Sequence, residues 1–111
     1  MIKATLLYGH PSDADAFEKY YADIHLPIAF QMKGLERMEL TKFQSSPDGS
    51  LSPYYRMAEL YFADAAAMGT TMSSTEGQAA AADLSNFANG GVTMNWKEYT
   101  GIPDTSHRLS R

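Results

Sequence analysis

One stretch, Phe17–Pro27, constrains the fold more than any other because it predicts a helix with one apolar face and a defined end. Phe17, Tyr21 and His25 are spaced by four residues, so on an α-helix they lie one turn apart along the same face. Pro27 has no N–H, and its ring crowds the carbonyl of the residue four positions earlier. The stretch therefore predicts a helix that packs an aromatic face and bends or ends beside a histidine.

The rest of the chain predicts six elements in the order strand, helix, strand, strand, helix, strand. Side chains that alternate in polarity indicate strands, and capping residues and glycines indicate the helix ends. The predicted strands are 2–8, 35–43, 54–62 and 92–99, and the predicted helices are 13–33, bent near Pro27, and 64–87, interrupted at 69–71 and restarted by a capping box of Ser73 and Glu76. This order predicts an α+β, ferredoxin-like βαββαβ fold, in which a four-stranded antiparallel sheet carries both helices on one face. We expect one domain over residues 1–99 and a loose C-terminal tail over 100–111.

Composition narrows the classes of function. The chain has 111 residues, of which 44% are hydrophobic and 20% charged, a net charge of −4 at pH 7 and no cysteine. Without a basic patch, nucleic-acid binding is not expected. No apolar run reaches the ~18 residues of a membrane span, so we expect no membrane partner and a cytoplasmic protein.

Two helices on one side of a sheet leave its other side bare. We expect methionine, tyrosine, leucine and phenylalanine side chains of the strands to make that face apolar. A bare apolar face on a small domain is an association surface. The pattern therefore predicts a homodimer in which two sheets face each other.

The residues around the helix bend are candidates for acid–base chemistry. His25 lies beside a proline and among tyrosines, a mixed lining that suits a pocket, although a buried histidine with a satisfied hydrogen bond would give the same pattern. Glu59 lies in the middle of a predicted strand, where it would form an acid–base couple with His25. The alternatives for Glu59 are a cross-strand pair with Arg37 or a solvated position. The candidate catalytic residues are His25, Tyr21 and Glu59.

A second group of side chains is suited to binding a flat or apolar ligand, although each of them is equally suited to a core or a turn. These candidates are Tyr8, His10, Tyr61 and Trp96. The three histidines do not have the spacing of a helical metal pair, so no metal is predicted, while a metal site assembled from distant residues stays open. Nucleotide binding and serine hydrolysis have no motif in the sequence.

The pattern Phe17-x-x-Tyr20-Tyr21-x-x-x-His25-x-Pro27 resembles the EthD-like family, named for ethyl tert-butyl ether degradation, of the dimeric α/β-barrel superfamily. Similarity continues through Lys33-Gly34-Leu35, through residues 55–64 and at Asp83-x-x-x-Phe87, so it covers about residues 1–99. Tyr21 replaces the tryptophan that is usual in the family, and Lys33 replaces a frequent proline.

The resemblance implies a ferredoxin-like homodimer with His25 in its site. Relatives in the superfamily include cofactor-free monooxygenases, polyketide cyclases, lactone isomerases and haem enzymes. We therefore expect a protein without a cofactor that binds a small hydrophobic or aromatic metabolite. It would be an oxidoreductase of the monooxygenase type or an accessory to an oxidative degradation pathway. The alternatives are a non-catalytic carrier, a cyclase or isomerase, and a haem protein with His25 as ligand.

Overall fold

Four strands form one antiparallel sheet in the computed structural model, which describes residues 1–99. The strands are β1 (Ile2–Tyr8), β2 (Arg37–Lys42), β3 (Arg56–Phe62) and β4 (Val92–Glu98). Their order in the sheet is β2-β3-β1-β4, so β1 and β3 are central. The predicted α+β class and βαββαβ order are confirmed. The predicted tail, 100–111, lies outside the described residues.

Helices connect β1 to β2 and β3 to β4. The first connection contains α1 (Ala14–Tyr20), a π-helical turn (Tyr21–His25) and α2 (Leu26–Ala29); the second contains α3 (Ala65–Ser73), α4 (Thr75–Asp83) and a 3-10 turn (Leu84–Asn86). The first helical segment therefore ends at Ala29, earlier than residue 33. Within residues 1–99, none of these helices has the length and apolar character that a membrane crossing requires.

The predicted bend beside His25 is a π-helical turn that precedes Pro27. The N–H of Leu26 donates to the carbonyl of Tyr21, five residues earlier. Widening the helix in this way accommodates a proline, whose ring would otherwise crowd the carbonyl of Asp23. Single π-helical turns are frequent at functional sites, and this one ends at the histidine.

The prediction of a helix break at residues 69–71 is wrong. Helix α3 continues through Gly69, because a glycine in an exposed helix costs only about 1 kcal/mol. The end falls at Ser74, whose backbone is extended (φ −68°, ψ 163°) and whose hydroxyl accepts a hydrogen bond from the N–H of Gly77 at 3.0 Å. Ser74, and not Ser73, is therefore the N-cap of α4.

The helices cover one face of the sheet, which we call the helix face. Strand pairing aligns Leu6 with Ala58, and Ala4 with Leu60, so that these side chains share this face. All four are buried, as are the neighbouring Tyr8 and Phe62. They form the core together with aromatic side chains of the helices, including Phe17, Tyr21 and Phe87.

The opposite side, which we call the helix-free face, is charged and aromatic, so the expectation of a bare apolar face is wrong. Lys3 and Glu59 form an ion pair there at 2.6 Å. The guanidinium of Arg37 stacks on the ring of Tyr61, 4.1 Å from its centre, and the Tyr61 hydroxyl donates to Glu39 at 2.6 Å. Because side chains alternate along a strand, the same strands that supply an apolar core present these residues on their other side.

Candidate functional site

A small cavity lies between the helix face of the sheet and the helices. Its volume is about 40 Å³, which is room for a few water molecules, since one ordered water needs roughly 10–15 Å³ by the same measure. The lining is apolar apart from three side chains, Tyr8, Tyr21 and His25. The other lining residues are Leu6, Leu26, Ala29, Met32, Met38, Ala58, Leu60, Met72, Gly77, Ala80, Ala81, Leu84 and Met94.

The histidine that lines this cavity is hydrogen-bonded to an aspartate that does not line it. Nδ1 of His25, at the end of the π-helical turn, lies 3.0 Å from Oδ2 of Asp83, the last residue of α4. Both side chains are buried, with 7% of each exposed. The ring of Phe87 packs against the imidazole at 4.6 Å. The pair therefore joins the two helical connections of the protein beside the cavity.

The carboxylate of Asp83 accepts two further hydrogen bonds, both on its other oxygen. The hydroxyl of Tyr20 donates to Oδ1 at 2.6 Å, and the side-chain amide of Asn86 donates to the same atom at 2.9 Å. Burial by itself would raise the pKa of the Asp83 carboxyl, but the three donors outweigh it and lower that pKa. Asp83 is therefore a carboxylate at neutral pH.

Burial decides the charge of His25. It lowers the pKa of the imidazole, and the opposing attraction of Asp83 only partly offsets this effect. A neutral imidazole beside a carboxylate keeps its proton on the nitrogen that faces the carboxylate, which is Nδ1. The lone pair is then on Nε2. His25 consequently has the tautomer required of a general base in the cavity wall.

Tyr21 contacts both the histidine and an arginine–glutamate ion pair. Its ring stacks on His25 at 5.9 Å with 13° between the planes, and the guanidinium of Arg56 lies 5.0 Å from the ring centre. Arg56 is fixed by two charge-assisted hydrogen bonds to Glu18, at 2.8 and 2.6 Å. Burial raises the pKa of the Tyr21 hydroxyl to about 12, so this hydroxyl remains protonated at neutral pH.

Three of the residues selected from the sequence meet in the cavity, and four do not. His25, Tyr21 and Tyr8 line it. Glu59 and Tyr61 lie on the helix-free face, so the predicted couple of Glu59 with His25 is wrong, and the charged partner of Glu59 is Lys3 rather than Arg37.

The remaining two predicted ligand-binding residues lie elsewhere. The Nε2 atom of His10 is 2.6 Å from the backbone carbonyl of Ser52, in exposed loops. Trp96 is on edge strand β4 and is 51% exposed. Neither lines the cavity, and Met94 is the residue that β4 contributes to its lining.

Sequence reasoning missed Asp83, Tyr20 and Asn86 as functional candidates. Tyr20 belongs to the pattern of the first helix, but nothing in that pattern indicates that its hydroxyl reaches a buried carboxylate. The one available signal was the Asp83-x-x-x-Phe87 pattern, whose two side chains both contact His25. Spacing of 58 residues between histidine and aspartate carries no local periodicity from which their contact could be predicted.

Metal and haem alternatives were tested against this geometry. Over residues 1–99, no three side chains of the histidine, cysteine, aspartate or glutamate type are grouped as metal ligands. The cavity as it stands, at about 40 Å³, has no room for a haem on His25, since pockets that enclose even drug-sized ligands measure roughly 300–1,000 Å³. Any ligand larger than a few water molecules requires the lining to repack.

Comparison with known proteins shows the family. The EthD domain model matches residues 10–91. The chain belongs to the EthD family. An uncharacterised 11.0 kDa protein from the thcB–thcC intergenic region of Rhodococcus erythropolis is 43% identical over 94 residues, which are 85% of this chain and 90% of that protein. The crystal structure of an EthD family protein from Bacillus halodurans C-125 has a TM-score of 0.84 and 33% identity, covering 90% of this chain and 99% of that one.

More distant structures share the fold. A dimeric ferredoxin-like protein of unknown function from Jannaschia sp. CCS1 has a TM-score of 0.65 at 19% identity, covering 89% of this chain and 100% of that one. SnoaB, a cofactor-independent oxygenase from Streptomyces nogalater, has a TM-score of 0.62 at 13% identity, covering 91% of this chain and 93% of that one. At these identities the likeness shows the shared fold, and a shared fold does not by itself carry an activity.

Proposed function

We propose that this EthD family protein binds a small, uncharged and largely apolar molecule and removes a weakly acidic proton from it. The base is Nε2 of His25. The observation that carries the proposal is the buried His25, hydrogen-bonded to Asp83 and lining a largely apolar cavity.

The proton-transfer step follows from the arrangement of the pair. The lone pair on Nε2 takes a proton from an O–H or an activated C–H bond of the substrate, and the bonding electrons remain on the substrate as a phenolate or an enolate. The carboxylate of Asp83 fixes the ring orientation and stabilises the imidazolium that forms, which is the role of the aspartate in histidine-dependent hydrolases. Two opposite charges then form in a site with little water, where their attraction is strong.

The lining sets the class of substrate. Among residues 1–99, no charged side chain lines the cavity, so a carboxylate or phosphate group would be buried there without a partner from this part of the chain, which is costly. Four methionines line the cavity, and their flexible chains can repack around a ligand larger than a few waters. The substrate we propose is therefore a small phenolic or enolisable compound that enters without charge.

The reaction after deprotonation belongs to one of two classes. An enolate or phenolate can be oxidised by molecular oxygen without a cofactor, and SnoaB, which shares the fold, is a cofactor-independent oxygenase. Alternatively, the proton can return at a different atom, which is an isomerisation or cyclisation. We favour the oxygenase class on this fold-level likeness, and a non-catalytic carrier would use the same cavity without turnover.

A chromogenic phenol tests the proposal directly. 4-Nitrophenol is small, binds without charge and absorbs at longer wavelength once it is deprotonated. We expect the wild-type protein to bind it and to increase the nitrophenolate absorption at a pH where the free compound is mostly protonated. His25→Asn, which can still donate to Asp83, should bind the compound without that increase.

The matched control is Glu59→Gln, which removes a carboxylate on the helix-free face and should behave as wild type does. Equal nitrophenolate absorption in wild type and His25→Asn would contradict a base role for His25. Absence of binding to the wild type would contradict an apolar binding site for phenols. Binding and deprotonation without any turnover under oxygen would favour the carrier.

We also propose that the protein is a homodimer. The support is the dimeric state of the ferredoxin-like neighbour from Jannaschia sp. CCS1. An apolar sheet face does not support a dimer here, since the helix-free face is charged. Native mass spectrometry of the protein from its own source should give twice the mass of the chain, together with any small molecule that it retains. A monomer at micromolar concentration would contradict the dimer.

A further inference from the structure

Asp83 connects His25 to two side chains that do not line the cavity. One carboxylate oxygen, Oδ2, accepts from His25, and the other, Oδ1, accepts from both Tyr20 and Asn86. We propose that Tyr20 and Asn86 are positioning residues that set the basicity of His25 by drawing negative charge away from the oxygen that faces the imidazole. This inference rests on the base role proposed for His25, whereas its test measures only the pKa of His25 and needs no substrate.

The geometry gives each donor a distinct origin. Tyr20 is the last residue of α1, immediately before the π-helical turn that carries His25, and Asn86 closes the 3-10 turn that follows α4. The carboxylate is thus clamped by donors from both helical connections. An aspartate held at both oxygens keeps one rotamer, and the imidazole that donates to it keeps one orientation.

These two side chains also line a second cleft, which Phe87 lines as well and which has a volume of about 170 Å³. Tyr20 is half-buried there and Asn86 is exposed. Their polar groups point inward to Asp83, so the carboxylate remains buried with 6% of the residue exposed. Removing either donor takes away one of the two hydrogen bonds that the protein donates to Oδ1 of Asp83.

The direction of the effect follows from hydrogen-bond competition. With fewer donors on Oδ1, the carboxylate holds more charge for the Nδ1–H of His25, and the imidazolium becomes more stable. The other titratable groups that surround His25 are Tyr8 from β1 and Tyr21 from its own helical segment, both neutral at pH 7 because burial raises their pKa values. Asp83 is the acidic group that opposes the effect of burial on the pKa of His25.

Nitrogen-15 NMR of the histidine rings tests this without any ligand. The pKa of His25 is measured by pH titration in wild type, Tyr20→Phe, Asn86→Ala and Asp83→Asn, with the signal assigned from its loss in His25→Asn. We expect the pKa of His25 to rise in Tyr20→Phe and in Asn86→Ala, and to fall in Asp83→Asn. A merely structural role would not give opposite directions for these changes.

Two variants control for the loss of a hydrogen bond as such. Tyr61→Phe removes a tyrosine–carboxylate bond of the same 2.6 Å length on the helix-free face. Asn89→Ala removes two exposed hydrogen bonds with Ser12, each of 3.1 Å. Both should leave the His25 titration unchanged.

An unchanged or lowered pKa of His25 in both Tyr20→Phe and Asn86→Ala would overturn the inference. A variant that loses the fold is recognised by its amide spectrum, and the remaining donor variant then decides the matter. If the titrations behave as expected but no phenol binds, the proposed function fails and the inference stands. If phenol deprotonation requires His25 but these variants titrate as wild type does, the inference alone fails.

Discussion

The two faces of the sheet each carry a carboxylate paired with a basic side chain, but water access makes the two pairs electrostatically different. On the helix-free face, the Lys3 and Glu59 side chains are 19% and 15% exposed, and the hydrogen bond to Glu59 raises the pKa of Lys3. On the helix face, His25 and Asp83 are each 7% exposed, and burial lowers the pKa of His25 despite its partner. The charged partner sets the direction of the pKa shift where water remains, and burial sets that direction where water is excluded. A neutral base therefore arises on the helix face.

Neutralising each carboxylate in turn should give the largest contrast between the faces. Asp83→Asn removes the charge that accepts from His25, Tyr20 and Asn86, and a buried donor left without its acceptor costs roughly 1–3 kcal/mol. Glu59→Gln leaves Lys3 within reach of water, so we expect a loss of about 1 kcal/mol or less. The measurement is the free energy of unfolding from urea titrations of both variants at pH 7.

Similar losses in the free energy of unfolding of the two variants would show that the two faces do not differ in their access to water. A large loss in Glu59→Gln would mean that the helix-free face is buried in the assembled protein, and repeating the titration over a hundredfold range of concentration would show it. A small loss in Asp83→Asn would mean that water reaches the His25 pair.

The helix face itself contains packed and unfilled regions, and two alanines separate them. Ala4 is completely buried and does not line the cavity, whereas Ala58 lines it. We expect Ala4→Val to lose about 1–3 kcal/mol through overpacking. Ala58→Val should lose less than about 1 kcal/mol, because its methyl groups enter existing space, and it should abolish 4-nitrophenol binding.

Urea titration and the absorption assay measure the two effects separately. Retained phenol binding in Ala58→Val would show that the ligand occupies another site. Equal destabilisation by the two substitutions would show that the cavity is not available to a side chain.

Most of the fold could be predicted from local patterns. Alternation identified β1 with its observed bounds, and the other three strands to within two residues at either end. Which face the helices cover could not be predicted, because β1 and β3 carry large side chains on both sides. Tyr61 illustrates this: it is 2% exposed although it lies on the helix-free face, since Arg37 stacks on its ring.

The site was predictable only where its residues share one helix. The spacing of four brought Tyr21 and His25 to the same surface, and Tyr8 joined them from the adjacent strand. The charged partner of His25 lies 58 residues further along the chain. Strand pairing places Glu59 on the helix-free face, away from His25. The sequence pattern therefore indicates Glu59, on a strand, as the partner of His25, whereas the structure shows Asp83, on a helix.

The pH dependence of stability gives the smallest and most specific effect. Because burial lowers the pKa of His25 from its ordinary value of 6.5, the unfolded chain binds a proton there at a pH where the folded protein does not. Stability is therefore full above about pH 6.5, and it falls as pH decreases below that value. A single proton limits the slope to about 1.4 kcal/mol per pH unit. The lowered pKa of Asp83 acts in the same direction, but only around and below its ordinary value of 3.8. Urea titrations between pH 5 and 8 should thus show a smaller slope in His25→Asn than in wild type, and equal slopes would mean that His25 is hydrated and that the two faces do not differ.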